Sequence, residues 1–181
     1  MSRSVSSRLL AAFMLVAAGA CSGADDSPAP ALGSPPVAVT RPGSIDLAVA
    51  NDPVRHFLFQ NNNDGTFSEI GRLSGIAFDR ATGNARGAMG IDVARFRNDD
   101  TIGLVIGNFA NEMTALYVCE SSNFLFTDDA IPTGLGPPTR LDLSFGVLFF
   151  DADLDGRLDL LCANGHLEND INQVQSSQHY R

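Results

Sequence analysis

The sequence predicts an all-β protein, a partial β-propeller made of about two and a half repeats of a four-stranded unit. The first observation is an apolar segment ending in asparagine that occurs three times, as IDLAVAND, IGLVIGNF and LDLLCANG. Its asparagines, Asn51, Asn108 and Asn164, lie 57 and 56 residues apart, and a fixed period indicates a repeat architecture. The second observation is that residues 45–165 contain no sustained 3.6-residue apolar period with helix caps, which excludes a helical solenoid.

Residues 1–21 are predicted to be an export signal. Two arginines precede an uncharged run from Leu9 to Ala20, which is too short to cross a hydrocarbon core of about 30 Å as a helix. The run ends in AGAC, which resembles the cleavage motif of bacterial lipoproteins and makes Cys21 the expected lipidation site. The alternative is ordinary secretion after cleavage near Ala20 or Ala24. We therefore expect an exported protein of the bacterial cell envelope or periplasm, anchored by a lipid on Cys21 or otherwise secreted.

Residues 22–44, SGADDSPAPALGSPPVAVTRPGS, form a segment that is rich in Pro, Ala, Ser and Gly and has no apolar periodicity. This composition is typical of extended linkers. We expect a disordered tether here, followed by the repeat region at residues 45–181.

Further strand patterns recur in phase around each asparagine segment. HFLFQNNNDGTFSEI is matched by TALYVCESSNFLFTD, and GAMGIDVARF is matched by LSFGVLFF. In the first of these, Asp64 and Gly65 favour a tight hairpin turn because both residue types tolerate positive φ. Each repeat is therefore predicted to consist of short strands joined by turns.

Carboxylates cluster in the third repeat, in FGVLFFDADLDGRLDLLCANGH. Three aspartates occupy alternate positions, a glycine follows them and allows a tight turn, and a fourth aspartate comes next. Carboxylates this close repel one another at neutral pH unless a cation lies between them, and an oxygen cage of this kind suits Ca²⁺. The sequence predicts one structural calcium site, with ligands from Asp151, Asp153, Asp155, Asp159 and a backbone carbonyl near Arg157.

This loop does not fit an EF-hand, which needs a glutamate at the twelfth position on a following helix. Here the twelfth position is Cys162, and the flanking VLFF and LDLLCA are strand-like. The sequence therefore predicts a calcium turn between two strands. A solvated acidic turn without metal is the simpler alternative.

Two segments resemble the FG-GAP or VCBS repeats of integrin-type propellers. They are FFDADLDGRLDLLCANGH and, upstream of it, IDLAVANDPVRHFLFQNNNDGTFSEIG. Both are most similar to bacterial relatives of cartilage acidic protein, whose longer members often end in an ASPIC/UnbV domain. The resemblance covers roughly residues 45–181. It implies calcium binding by the carboxylates of Asp151, Asp153, Asp155 and Asp159.

The corresponding loops of the other two repeats depart from this pattern. In ARFRNDDTIGL, Arg95, Arg97 and Gly103 replace the first, second and fourth aspartates, and only Asp99 remains. Two guanidinium groups in the cage exclude a divalent ion. The arginines are either exposed surface residues or an internal replacement for the charge of the lost ion. In the first repeat, AVTRPGSIDL puts tether sequence where the ligands would be, so one complete site is expected.

The chain has 181 residues, a formal charge of −9 and no lysine. An acidic balance argues against nucleic acid, whose phosphates need a basic surface, and suits a soluble cation-binding protein. Cys119 and Cys162 lie on or beside apolar strands, so we expect buried thiols, with a disulfide between them as the alternative.

These observations favour a non-enzymatic, calcium-stabilised binding or scaffold module that presents loops to a protein or glycan ligand. An enzyme would use His56, His166 or His179, but no triad or metal–histidine spacing accompanies them. A third alternative is a truncated fragment of a longer propeller protein with no independent role.

The number of repeats is too small for a closed propeller, which affects the expected assembly of the protein. Closed propellers typically contain four to eight blades, and an open one leaves strand edges and apolar faces uncovered. We therefore expect a homo-oligomer, or a partner that completes the propeller, and contact with the membrane only through the N-terminal lipid.

Overall fold

The computed structural model describes residues 36–41, 44–120 and 123–178, and these residues form mainly β-strands. The first sheet is a meander in which each strand pairs antiparallel with the next. Its strands are β1 (Val37–Arg41), β2 (Ser44–Val49), β3 (Phe57–Asn61) and β4 (Phe67–Glu69). One helical turn, α1 (Gly71–Ser74), follows it.

The second sheet repeats this meander, and the third sheet has two strands. The second sheet contains β5 (Ala88–Ala94), β6 (Ile102–Asn108), β7 (Ala115–Cys119) and β8 (Thr127–Asp128). The helical turn α2 (Gly136–Thr139) precedes the third sheet, which consists of β9 (Leu143–Phe150) and β10 (Asp159–Gly165), and α3 (Ile171–Val174) comes last.

The all-β prediction is confirmed for the described ranges. Each strand pattern that recurs in the sequence forms a strand, and the three helices have four residues each. The sheets are separate and antiparallel, and none of them closes on itself among the described residues.

The predicted boundary of the tether is wrong at its C-terminal end. Val37–Arg41, inside the segment expected to be disordered, forms β1 and pairs antiparallel with β2. The alternating apolar residues of VAVTR suit a strand, and Val39 is fully buried in the core. The first sheet therefore has all four strands of the repeat.

The predicted hairpin between β3 and β4 is present. The backbone N–H of Asn62 donates to the carbonyl oxygen of Thr66 over 3.0 Å, and the carboxylate of Asp64 accepts from the backbone and hydroxyl of Thr66. The positive φ values fall on Asn63 (61°) and Gly65 (88°) rather than on Asp64 and Gly65. The connection is therefore a loop of five residues, 62–66, rather than the tight turn at Asp64 and Gly65 that the sequence predicts.

The recurring asparagine has a structural role at the end of its strand. Asn51 donates from Nδ2 to the carbonyl oxygen of Arg55 over 2.8 Å, and Asn108 donates in the same way to that of Met113 over 2.7 Å. Each of these two amides therefore closes the loop that follows its strand. The third asparagine, Asn164, bonds differently, because its Nδ2 donates to Oδ2 of Asp142 over 3.0 Å.

The three sheets stack face to face in chain order. In the second sheet, every residue of β6 and β7 is buried because both faces are covered. One face, with Leu104 and Tyr117, packs in a core cluster with Ala48 and Leu58 of the first sheet. The other face forms a second cluster with the third sheet, made by Val105, Leu116, Val118, Val147, Phe149, Leu160 and Cys162 among others.

The second and third sheets approach each other closely where β5 and β6 meet β9. A Cβ at Gly90 would lie 2.6 Å from the carbonyl oxygen of Phe145, and one at Gly107 would lie 2.7 Å from that of Ser144. Only glycine fits at these two positions. Beside them, the backbone N–H of Phe149 donates to Oδ2 of Asp92 over 2.8 Å, which fixes the two sheets in register.

Candidate metal centre

The aspartate loop connects β9 to β10 at the exposed end of the third sheet. Two residues in it, Leu154 (φ 63°) and Gly156 (φ 85°), have left-handed backbone conformations, which turn the chain back on itself. The side chain of Leu154 is 86% exposed, so it contributes nothing to the core. The loop is therefore shaped by its polar groups rather than by packing.

Three of the four predicted carboxylate ligands come together in this loop. Asp151, Asp153 and Asp159 each offer an oxygen, and these oxygens all lie within 4.8 Å of one another. Ligand oxygens lie about 2.4 Å from a Ca²⁺ ion and thus at most about 4.8 Å apart, so the spacing suits this ion. The three residues belong to the two strand ends and the loop between them.

Backbone N–H groups hold the carboxylates in place. Asp151 accepts from the N–H of Asp155 over 3.0 Å and from that of Gly156 over 2.8 Å, and Asp159 accepts from the N–H of Ala152 over 3.0 Å. Each carboxylate oxygen has two lone pairs, so lone pairs remain for a cation. These hydrogen bonds give the loop its curled shape. Their donors are backbone N–H groups, and a bound cation would not compete for these donors.

Asp155 lies outside this group of three, and its role as a ligand stays a prediction. Its Oδ1 accepts from the backbone N–H of Arg157 over 2.8 Å, and its Oδ2 lies 3.7 Å from Nε of Arg157. The Arg157 side chain is 81% exposed, and an ion pair this open contributes little stability. The contacts of Arg157 with the site therefore run through Asp155. That the backbone carbonyl oxygen of Arg157 is a calcium ligand stays a prediction.

The loop between β5 and β6 shares one left-handed position with the aspartate loop but carries a different charge. Asn98 (φ 57°) is left-handed at the position that corresponds to Leu154. Arg97 pairs with Glu120 over 3.0 Å and with Asp129 over 3.4 Å, both outside its own loop. Arg95 lies 3.9 Å from an exposed aspartate. These two arginines are therefore exposed surface residues rather than an internal replacement for the charge of an ion.

The ring of Phe96 fills the space beside Gly103, which corresponds to the fourth aspartate. A Cβ at this glycine would lie 2.5 Å from Cδ1 of Phe96. This side of the loop therefore has no room for a carboxylate side chain.

The two loops touch. The amide of Asn98 donates from Nδ2 to the carbonyl oxygen of Gly156 over 3.0 Å. The sequence gives no local signal for this contact, because it joins residues 58 positions apart.

A buried polar cluster between the first and second sheets was also missed. Arg86 pairs with Asp79 over 2.5 Å and lies 3.6 Å from Asp128, and its side chain is 9% exposed. The hydroxyl of Tyr117 is buried there without a hydrogen-bond partner among the described residues, and burial followed by the charge of Asp128 raises its pKa. A cavity of about 590 Å³ lies beside this cluster and is lined in part by Tyr117 and Asp128.

The two described histidines do not join the aspartate loop. His56 is 2% exposed and accepts at Nδ1 from the backbone N–H of Asn51 over 3.1 Å. Burial, and then the positive charge of Arg86, lower the pKa of His56 to about 4. His166 packs edge-on against Phe109. His179 lies outside the described residues.

Cys119 and Cys162 are not joined by a disulfide. Cys119 is buried as expected, whereas Cys162 is half-buried, and burial followed by the charge of Asp142 raises the pKa of its thiol. Cys21 lies outside the described residues, as does most of the predicted tether. In the part of the chain that is described, none of the helices has the length and apolarity needed to span a membrane.

Comparison of the chain with protein-family models and with curated proteins finds no match.

Proposed function

We propose that this chain is an extracytoplasmic, calcium-stabilised binding or scaffold module whose sheets are blades of a partial FG-GAP/VCBS-type propeller. Two four-stranded meanders and a two-stranded sheet, stacked in chain order, support the blade interpretation. The resemblance of the third repeat to FG-GAP sequences supports the assignment of the loop. The module is non-enzymatic and is exported, with Cys21 as its lipid anchor.

The observation that carries this proposal is the group of three carboxylates. The oxygens of Asp151, Asp153 and Asp159 are within 4.8 Å of one another, and within the described ranges no arginine forms an ion pair with any of the three. Carboxylates at such distances repel one another unless a cation lies between them. A hard divalent ion with oxygen ligands meets this requirement, and Ca²⁺ tolerates the flexible geometry of an exposed loop.

The ion has a structural role. Extracellular calcium modules bind at about 10⁻⁴ to 10⁻³ M, so such a site is filled outside the cell. The ion would join the ends of β9 and β10 and hold the loop in a fixed shape for a protein or glycan ligand. When bound, calcium supplies charge neutralisation, and the chain supplies the fixed carboxylates.

The experiment is titration of the exported domain with CaCl₂ by calorimetry, together with thermal unfolding. We expect one site. For a dissociation constant of about 0.1 mM, 1 mM calcium stabilises the folded state by about 1.4 kcal/mol. Asp153→Ala should abolish both the heat and the melting shift.

A matched control is Asp100→Asn, because Asp100 is fully exposed in the corresponding loop of the second sheet. This variant should bind calcium as the wild type does. Two equivalent sites, or no heat and no melting shift at several millimolar calcium, would contradict the proposal.

A further inference from the structure

The first and third sheets each have one apolar face that no described part of the chain covers. On the first sheet, Ile45, Leu47 and Val49 alternate along β2, and Phe59 and Phe57 lie directly opposite Leu47 and Val49. We call these five residues the first-sheet face. Ile45 is 54% exposed, and the other four are partly exposed. The guanidinium of Arg55 lies over the ring of Phe57, 4.5 Å from its centroid, and covers this edge of the face only.

The opposite end of the stack has a similar surface. On the third sheet, Leu161 lies directly opposite Leu148, and Phe150 follows Leu148 on the same side of β9. We call Leu148, Phe150 and Leu161 the third-sheet face. Leu148 and Leu161 are each 50% exposed and Phe150 is 37% exposed, so this face is open to solvent.

The repeat shows what covers such faces elsewhere in the molecule. Ile102, Leu104 and Ile106 of β6 correspond to Ile45, Leu47 and Val49, yet they are only 8%, 0% and 0% exposed. They pack in one cluster with Ala48 and Leu58 of the first sheet. The residues that correspond to the first-sheet face are therefore covered by the sheet before them.

The third-sheet face has a buried counterpart as well. Val105 corresponds to Leu161 and is 0% exposed, because Val147 and Leu160 of the third sheet cover it. In the first internal interface, the face of the first sheet with Ala48 packs against the face of the second sheet with Leu104. In the second, the face of the second sheet with Val105 packs in the same way against the face of the third sheet with Leu160. The first-sheet face and the third-sheet face are thus the two halves of an interface that the chain already makes twice.

We propose that the first-sheet face of one copy packs on the third-sheet face of a second copy, in a head-to-tail arrangement. Two unlike faces meet in each contact, so the interface is heterologous and extends to a ring or an open chain of copies. A symmetric contact between two like faces has no counterpart among the interfaces within the chain. The inference rests on the repeat and holds whether or not calcium binds.

The test measures mass by light scattering across a range of protein concentrations. The chain carries its own export signal and Cys21→Ser, so that no acyl chain contributes to association. We expect the average mass of this protein to rise with concentration. Ile45→Arg and Leu161→Arg each place a charge in one face and should each weaken association by about tenfold or more.

Mixing the two variants is the decisive measurement. Ile45→Arg keeps an intact third-sheet face and Leu161→Arg keeps an intact first-sheet face, so an equimolar mixture should form dimers and nothing larger. Leu73→Arg is the control, because Leu73 is 78% exposed on α1 and belongs to neither face. It should associate as the parent protein does.

Three results would overturn the proposal: a parent protein that is monomeric at all concentrations, single variants that still associate, or a mixture that stays monomeric. Unfolding curves accompany each sample. If an arginine variant is unfolded, Ile45→Gln and Leu161→Gln replace the pair, since both positions are about half exposed and glutamine introduces no charge.

Discussion

The side-chain amide of Asn98 donates a hydrogen bond to the backbone carbonyl oxygen of Gly156, 3.0 Å away, and joins the loop of the second sheet to the aspartate loop of the third. The loop with arginines at the corresponding positions therefore supports the backbone of the loop that carries the aspartates. Gly156 also donates its N–H to Asp151, so the contact acts on the backbone that positions a proposed calcium ligand.

Asn98→Gly should weaken calcium binding about two- to fivefold, because a net hydrogen bond contributes about 0.5–1.5 kcal/mol and this one is exposed. Glycine is chosen because Asn98 has a φ of 57°, which glycine adopts without strain. Asn63→Gly is the control, since Asn63 has a φ of 61° in an exposed hairpin turn far from the loop. Equal calcium affinity in the two variants would show that the contact has no role.

Lowering the pH from 7.0 to 5.5 should destabilise the fold through His56. The folded pKa of about 4 lies below the unfolded value of 6.5, so the unfolded state binds more protons between them. Stability is therefore present above pH 6.5 and is lost as the pH falls towards 4, with about 1 kcal/mol lost by pH 5.5. Urea unfolding in a calcium-free buffer measures this loss.

The pH effect should shrink in a variant without the imidazole. His56→Gln keeps a hydrogen-bond acceptor for the backbone N–H of Asn51 but does not titrate in this range. If its stability falls between pH 7.0 and 5.5 as much as that of the wild type, then another group is responsible.

Arg86→Gln should lower the free energy of unfolding by about 3–5 kcal/mol, because it leaves the carboxylates of Asp79 and Asp128 without their buried cation. Arg80→Gln is the matched control. Arg80 is exposed beside the same cavity, and its loss should change stability by less than about 0.5 kcal/mol. Similar values for the two variants would mean that the buried ion pairs contribute little.

Cys21→Ser should release the protein from the membrane fraction of a bacterial host. The wild type is expected to carry several acyl chains on its N-terminal cysteine, and more than one chain is needed for stable anchoring. Fractionation and mass spectrometry of the mature N-terminus measure this. An unmodified N-terminus in the membrane fraction, or a fully soluble wild type, would exclude lipid anchoring at this cysteine.

Local sequence signals predicted the strands and most of the aspartate loop. The strands β2, β6 and β10 follow from the recurring apolar segments that end in asparagine, and Asp151, Asp153 and Asp159 lie close together because only a short turn separates them. Contacts between distant segments were not predictable in this way. Arg86, for example, donates to the carbonyl oxygen of Met113, 27 residues away, and no local pattern marks such a pair.

The segment at β1 and Asp155 both show competing local preferences. β1 was missed because the prolines around VAVTR outweighed its apolar residues, although pairing with β2 stabilises the strand. Asp155 continues the alternation of the aspartates, and its role as a ligand stays a prediction. Its Oδ1 accepts from the N–H of Arg157, a turn that aspartate commonly makes with the residue two positions later.

The ring of Phe96 against Gly103 determines how many substitutions an acidic cage in the second loop would need. An aspartate at position 103 alone would place its Cβ 2.5 Å from Cδ1 of the ring. Arg95 and Arg97 would also have to change before a carboxylate there met a cation instead of two guanidinium groups. A second calcium site therefore has to be engineered by replacing several residues together, with Phe96 among them.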